Sequence, residues 1–294
     1  MHYPALLRET IENLNLKAGD VVLDATLGGG GHAKEILGRI LPGGRLIGVD
    51  RDPEALKRVQ DELRDHKDTI TYVSEDFREI DEVFHSLGIG SIDGAIFDLG
   101  MSSFQVDDEK RGFSFLKDGP LDMRFDRRKG MTAADVVNKF GREELAEIIK
   151  EYGEERHARF VAGAICSARK QKKIETTGEL RDIIARAIGR KYKRQRLHPA
   201  ARTFQAIRIY VNDELGAIKE AIRETVPYLR AKARICIISF HSLEDRIVKN
   251  AFRDMKKEGV LNVLTKKPIT PGREEVRDNP RSRSAKLRVA EKAA

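Results

Sequence analysis

Asp24-Ala25-Thr26-Leu27-Gly28-Gly29-Gly30-Gly31-His32 is the stretch whose reading decides the fold. It follows the apolar, β-branched run Val21-Val22-Leu23 and leads into a helical pattern from His32 to Ile40, closed by Pro42-Gly43-Gly44. Glycines at such a strand-to-helix turn permit positive φ and let a ligand approach the backbone closely. Outward from the turn the alternation repeats. Arg45 to Asp50 reads as a second strand, Ile70 to Val73 as a third and Ala95 to Asp98 as a fourth. Pro53 to Leu63 reads as a helix with proline in its first turn. Strand, helix, strand at this spacing calls for right-handed parallel crossovers, and so for an α/β sheet.

The alternation then stops. From about Asp107 to Pro199 the chain carries helical periodicity and no strand pattern. Leu145, Ile148 and Ile149 are expected to share a face, as are Phe160, Ala164 and Ile165, and then Leu180, Ile183, Ile184 and Ala187. Strand patterning resumes at Arg234 to Ser239, with further candidates at Leu261 to Lys266 and Ala285 to Ala290. The expectation is one α/β domain made of residues 1–106 and 200–294, interrupted by an all-helical insertion at 107–199.

The 294 residues are 40% hydrophobic and 35% charged, the composition of a globular protein. No apolar run approaches the ~20 residues of a membrane span. The start, Met1-His2-Tyr3-Pro4, lacks the charged and apolar regions of a secretory leader. Cys166 and Cys236 lie far apart in apolar surroundings and read as buried reduced thiols. Together these predict a cytoplasmic protein; monomer and homodimer suit the sequence equally. The net charge of +8 favours a polyanionic partner. Between Asp182 and Asp213 there is no acid, yet Arg186, Arg190, Lys191, Lys193, Arg194, Arg196, Arg202 and Arg208 all fall there. A second basic stretch runs from Arg273 through Arg277, Arg281, Arg283 and Lys286 to Arg288. Both would neutralise phosphates.

The glycine turn alone leaves the ligand open, since Gly28, Gly30 and Ala33 also fit the dinucleotide pattern. The strand-end acids narrow it. Asp50, ending the second strand, suits ribose hydroxyls in either cofactor class. Asp24, ending the first, would repel a pyrophosphate but can face the amino group of S-adenosylmethionine. Phe77, beside Asp76, can stack on adenine. Asp98 lies next to the switch point where open α/β sheets bind ligands, and there it can touch both cofactor and substrate.

Longer runs then become informative. They are Asp98-Leu99-Gly100-Met101-Ser102-Ser103, Arg111-Gly112-Phe113-Ser114-Phe115, Gly119-Pro120-Leu121-Asp122-Met123-Arg124 and Thr203-Phe204-Gln205-Ala206-Ile207-Arg208-Ile209. Ile238-Ser239-Phe240-His241-Ser242-Leu243-Glu244-Asp245-Arg246 and Arg281-Ser282-Arg283-Ser284-Ala285-Lys286-Leu287-Arg288 complete the set. In this order they resemble the bacterial small-subunit (16S) ribosomal RNA cytosine-N4 methyltransferases of the MraW/RsmH type, across essentially the whole chain. The resemblance implies a Rossmann-like class I methyltransferase sheet with a helical recognition insertion, S-adenosyl-L-methionine as cofactor, and a cytidine in the decoding region of the small ribosomal subunit as target. By motif position it implies cofactor contacts at Gly30, Gly31, His32, Asp50, Phe77, Asp98 and Gln105, and not at Asp24. Amino-methyltransferases often carry an Asp-Pro-Pro-Tyr-like run after the fourth strand; here Asp98-Leu99-Gly100-Met101 has neither proline nor aromatic.

Two residues are the candidate catalytic groups: Asp98, as acceptor for the hydrogens of the cytosine amine, and His241, which follows a strand-like run and can also be structural. Phe104, Phe115 and Phe240 are candidates to stack on an unstacked base. No Cys or His stands at ligand spacing from His241, so no metal is expected. On a helix from His198 to Asn212, the residues His198, Arg202, Gln205 and Asn212 fall near one face. With Arg194 and Arg196 just before it, that face is expected to contact RNA. Two other readings stay open, a nicotinamide-dependent oxidoreductase and a noncatalytic RNA-binding assembly factor.

Overall fold

The computed structural model describes residues 4–192 and 197–294, and of Ser103 the backbone alone. The chain forms two compact units, Met1–Met101 with Leu215–Ala294 and Ser102–Glu214. The insertion is therefore longer at both ends than the 107–199 read from periodicity. Helix Ala201–Asn212 accounts for most of the difference, because it packs on helix Arg142–Gly153 inside the second unit.

The first unit is built on a seven-stranded sheet: β1 Val21–Asp24, β2 Arg45–Val49, β3 Ile70–Val73, β4 Ile92–Asp98, β5 Leu229–Ser239, β6 Leu261–Val263 and β7 Lys286–Lys292. The order is β3-β2-β1-β4-β5-β7-β6. Strands β1 to β5 pair in parallel, while β7 runs antiparallel to β5 and β6. Period-two alternation sends neighbouring side chains to opposite layers. Leu23, Ile47, Phe97, Ile235 and Ile237 face a core completed by Val83, Phe84, Ala217, Ile218, Ile222 and Phe252. Val22, Leu46, Ile96, Cys236 and Ile238 face a second core with Ile11, Leu14, Ile36, Leu37, Ile40 and Val59. Both faces are covered, which is why these strands read as continuous apolar runs. Each Leu or Ile buried this fully contributes about 1.5–3 kcal/mol.

Sequence patterning missed the start of β5. It begins at Leu229 rather than Arg234, with Arg230 to Lys232 exposed and Lys232 at φ 67°. The β4 register slips between Ile92 and Gly94, so this polar bulge hides the strand from a hydrophobicity reading. Cys236 is buried and Cys166 half-buried, both as free thiols. Among the described residues no helix is long and apolar enough to cross a membrane.

The second unit is helical, with helices including Ala133–Lys139, Arg142–Gly153, Ala158–Ala168, Thr177–Tyr192 and Ala201–Asn212. Leu145, Ile148, Ile149, Leu180, Ile183 and Ile184 are buried as their spacing predicts. Phe160 is not. The buried stripe of helix Ala158–Ala168 is Ala158, Val161, Ala162 and Ile165, an i, i+3, i+4, i+7 set that leaves Phe160 62% exposed.

Candidate active site

Strands β1 and β4 are neighbours, yet the chain leaves β1 for β2 on one side and β4 for β5 on the other. That reversal opens a crevice beyond their carboxyl ends. Asp24 ends β1 and Asp98 ends β4. The two ends are tied together, since the Asp98 N–H donates to Thr26 Oγ1 at 2.5 Å.

Asp24 is 1% exposed. Its Oδ1 accepts the Thr26 N–H at 3.2 Å, while Oδ2 is buried with no hydrogen-bond partner among the described residues. Burial, offset by the Thr26 N–H and reinforced by the charges of Asp98 and Asp50, pushes its pKa up to about 7. Asp98 shares this condition. Its Oδ1 is likewise buried without a partner, and its Oδ2 lies 3.7 Å from His32 Nδ1. Burial raises its pKa to about 7; the Gly100 N–H opposes the rise and the charge of Glu244 adds to it. Two carboxyl oxygens without donors in one crevice are costly on their own. They fit a ligand that brings hydrogen-bond donors or positive charge.

Asp50 works differently. It accepts the Gly28 N–H through Oδ2 and the Asp52 N–H through Oδ1, both at 2.8 Å, so it holds the glycine turn while each oxygen keeps a further lone pair. Burial still sets its pKa above the usual carboxylate range, against those two donors. In the turn, Gly28 and Gly30 take φ of 52° and 73°. Gly30 and Gly31 are also required by packing. A Cβ on Gly30 would lie 2.9 Å from Val59, and one on Gly31 would lie 2.5 Å from Pro4. Helix Gly31–Ile40 starts here, so its first N–H groups face the crevice mouth with the positive end of the helix dipole.

Phe77 is only 8% exposed, packs edge-on to Phe97 at 6.0 Å and lies under the Arg51 guanidinium at 5.2 Å. Asp76 caps the Phe77–Glu79 turn and pairs with Arg51 and Arg78. His241 caps helix Ser242–Lys257, its Nδ1 accepting the Glu244 N–H at 3.4 Å. Glu244, 1% exposed, accepts the N–H groups of Phe240 and His241 at 2.7 and 3.2 Å and lies 3.2 Å from His241 Nε2. This buried acid organises the β5 end and acts on Asp98; the sequence reading passed over it, although its capping-box spacing after His241 was visible. The aromatic beside the β4 end comes from the residue just after β5. The Phe240 ring closes on Gly100, where a Cβ would lie 2.6 Å from Cε2.

The polar face expected to meet RNA is largely spent within the second unit. Arg202 donates to the Glu154 carbonyl, and Gln205 to the Tyr152 carbonyl at 3.1 Å, so both serve the C-terminal carbonyls of helix Arg142–Gly153. His198 accepts the Ala200 N–H and stacks on Phe115 at 4.9 Å, and Phe115 in turn meets Phe204 edge-on. Asn212 bridges Met123 and Phe125 at 2.8 Å each, and Arg208 forms a two-pronged pair with Glu214. Gln105, buried in this unit, accepts the Ser102 N–H in a capping box. Phe104 is 47% exposed. Arg194 and Arg196 lie outside the described residues. In the second basic stretch, Arg288 is buried against Asp245 at 2.6 Å and Arg277 pairs with Asp278. Charge counted along the sequence thus overstated the free charge.

Comparison with known proteins gives a consistent result. The MraW methylase family matches residues 1–293. Ribosomal RNA small subunit methyltransferase H of Persephonella marina is 50% identical over 291 residues, 99% of either chain. The protein of the same name from Clostridium botulinum strain Kyoto is 48% identical over 306 residues, 99% of this chain and 98% of that one. A crystal structure from Clostridium thermocellum, provisionally assigned as an rRNA-methylase, superposes with a TM-score of 0.50 at 11% identity over 100% of this chain and 99% of its own. At that identity the likeness is one of fold.

Proposed function

This chain belongs to the MraW methylase family, and we propose that it transfers a methyl group from S-adenosylmethionine to the exocyclic N4 of a cytidine in the decoding region of 16S ribosomal RNA, in the cytoplasm, with the small ribosomal subunit as partner. One observation carries the reading: Asp24 Oδ2 and Asp98 Oδ1 lie buried and undonated at the switch point beside the glycine turn. S-adenosylmethionine offers an ammonium and a sulfonium to such a crevice, whereas a dinucleotide would bring a pyrophosphate against two acids. The names of the relatives, small-subunit ribosomal RNA methyltransferases, support the substrate class.

The residues available to hold the cofactor are those of the turn and the strand ends. Asp24 faces positive charge, the first N–H groups of helix Gly31–Ile40 suit a carboxylate, and Asp50 has lone pairs left for ribose hydroxyls. Gly30, Gly31, His32, Asp50, Phe77, Asp98 and Gln105 are the contacts that the resemblance implies, and the buried, undonated Asp24 Oδ2 is the reason for adding Asp24 to them. When bound, the cofactor supplies a methyl group already activated by its sulfonium. What remains for the protein is mostly positioning.

The cytosine amine is a weak nucleophile because its lone pair is delocalised into the ring. Asp98 Oδ1 accepts one of its hydrogens, turns the lone pair out of conjugation, and takes the proton that the methylated nitrogen sheds. A carboxyl with a pKa near 7 suits that exchange at neutral pH. Glu244 and His241 hold the Phe240 loop, and the Phe240 ring beside Gly100 offers the aromatic surface that an Asp-Pro-Pro-Tyr run would otherwise supply. Calorimetry tests the cofactor assignment: S-adenosylmethionine is expected to bind and NAD not to. Binding of NAD alone would end this reading.

A further inference from the structure

Phe160 is the most exposed aromatic among the described residues of the second unit. It lies in the first turn of helix Ala158–Ala168 and is 62% exposed. One exposed phenyl ring is ordinary on a protein surface; what distinguishes this one is the set of groups around it. The ring is not bare. Lys191, from the last turn of helix Thr177–Tyr192, holds its Nζ 3.8 Å from the ring centroid, and His157 meets the ring edge-on at 6.4 Å.

Exposed basic residues flank it; of the two acids just before them, Glu155 is buried against Tyr192 and Glu154 is exposed. Arg159 and Arg190 are exposed on their helices within one turn of Phe160 and Lys191, Arg156 is exposed in the turn before helix Ala158–Ala168, and none of the three makes an ion pair among the described residues. This separates them from Arg202, Arg208 and Arg288, whose charge is spent internally. An exposed ring with a cation on it and unpaired guanidinium groups around it combines the two elements of single-strand recognition. The ring gives any base a stacking surface, and the cations follow the phosphates.

We propose that Phe160, capped by Lys191, is a base-stacking platform on which the helical unit grips a single-stranded segment of its RNA substrate, with Arg156, Arg159 and Arg190 on the backbone phosphates. The proposal rests on the reading of this chain as an RNA methyltransferase and adds a second contact, remote in sequence from the crevice residues.

The chain contains no tryptophan, so Phe160→Trp installs a single tryptophan, excited selectively at the red edge beyond tyrosine absorption, on the platform. A 12-nucleotide oligocytidine is expected to quench its emission saturably, and less so as salt rises. With purified small subunits as substrate, Phe160→Ala should raise KM about 5- to 160-fold, the range for one lost base stack. Turnover and S-adenosylmethionine affinity should hold. Phe160→Leu, which keeps an apolar side chain without a π-face, should behave like the alanine variant, and Phe160→Trp like the parent. Unquenched emission, or an unchanged KM in Phe160→Ala, overturns the proposal, as does quenching by RNA-free subunit proteins in place of RNA. The reading beneath it fails separately, if the parent protein binds S-adenosylmethionine yet methylates no RNA.

Discussion

Asp24→Asn should make the cofactor-free protein more stable at pH 8, which is unusual for a change inside a binding crevice. The side chain is 1% exposed, has one weak backbone donor, and titrates at about 7 instead of 3.8. At about 1.4 kcal/mol per pKa unit, keeping it ionised costs the folded state roughly 4 kcal/mol. The folded pKa is raised, so the favourable contribution of the protonated acid is complete below pH 4 and is lost as pH climbs through 7. Above that the penalty is constant. Asparagine keeps the shape and removes the titration. Melting curves of both proteins from pH 5 to 8.5 should therefore diverge up to about pH 7.5 and then run parallel, the variant melting roughly 8 °C higher. S-adenosylmethionine should reverse the order of merit. Losing one charge-assisted hydrogen bond weakens its binding about 10-fold or more, and binding to the parent should release protons near pH 7. Parallel melting profiles across the whole range would refute the argument that Asp24 is an unsatisfied buried acid.

Asp98→Asn should lower single-turnover methyl transfer at least ~100-fold at saturating cofactor, and parent activity should fall below about pH 7 as Asp98 takes up its proton; near-normal turnover of the variant would remove Asp98 from the mechanism. Gly112→Ala should destabilise the helical unit by about 2 kcal/mol or more in urea titrations, since φ is 69° and the new Cβ would sit 2.1 Å from the Pro120 carbonyl oxygen; an unmoved midpoint contradicts it. Replacing Arg194 and Arg196 together by Gln should flatten the salt dependence of RNA binding by about 1.5 in log–log slope; an unchanged slope leaves them off the phosphates.

The sheet was legible because β1, β2, β4 and most of β5 are buried on both faces, and burial writes continuous apolar runs into a sequence; the edge strand β3 is only partly buried and was legible from its β-branched residues. The strand-end acids were legible for a related reason: Asp24, Asp50 and Asp98 interrupt apolar runs at turns, where only a ligand or a backbone amide accounts for them. What sequence could not supply was the use to which polar side chains are put. Arg202, Gln205 and Asn212 read as an outward face, yet they satisfy carbonyl and amide groups that a linear chain does not reveal. Arg208 and Arg288 read as phosphate ligands but are spent on Glu214 and Asp245. Phe160 failed in the opposite sense, because an apolar residue one position out of phase with its stripe still looks like core. The motif runs Arg111-Gly112 and Gly119-Pro120 also have an internal reason: Arg111 donates to the Phe125 carbonyl at 2.8 Å, and a Cβ on Gly119 would strike the Glu109 carbonyl oxygen at 2.0 Å.

The central claim is the reaction itself. Small ribosomal subunits incubated with this protein and methyl-labelled S-adenosylmethionine, then digested to nucleosides, should carry the label in N4-methylcytidine alone. Label in another nucleoside, or none in RNA while the cofactor binds, would contradict the account.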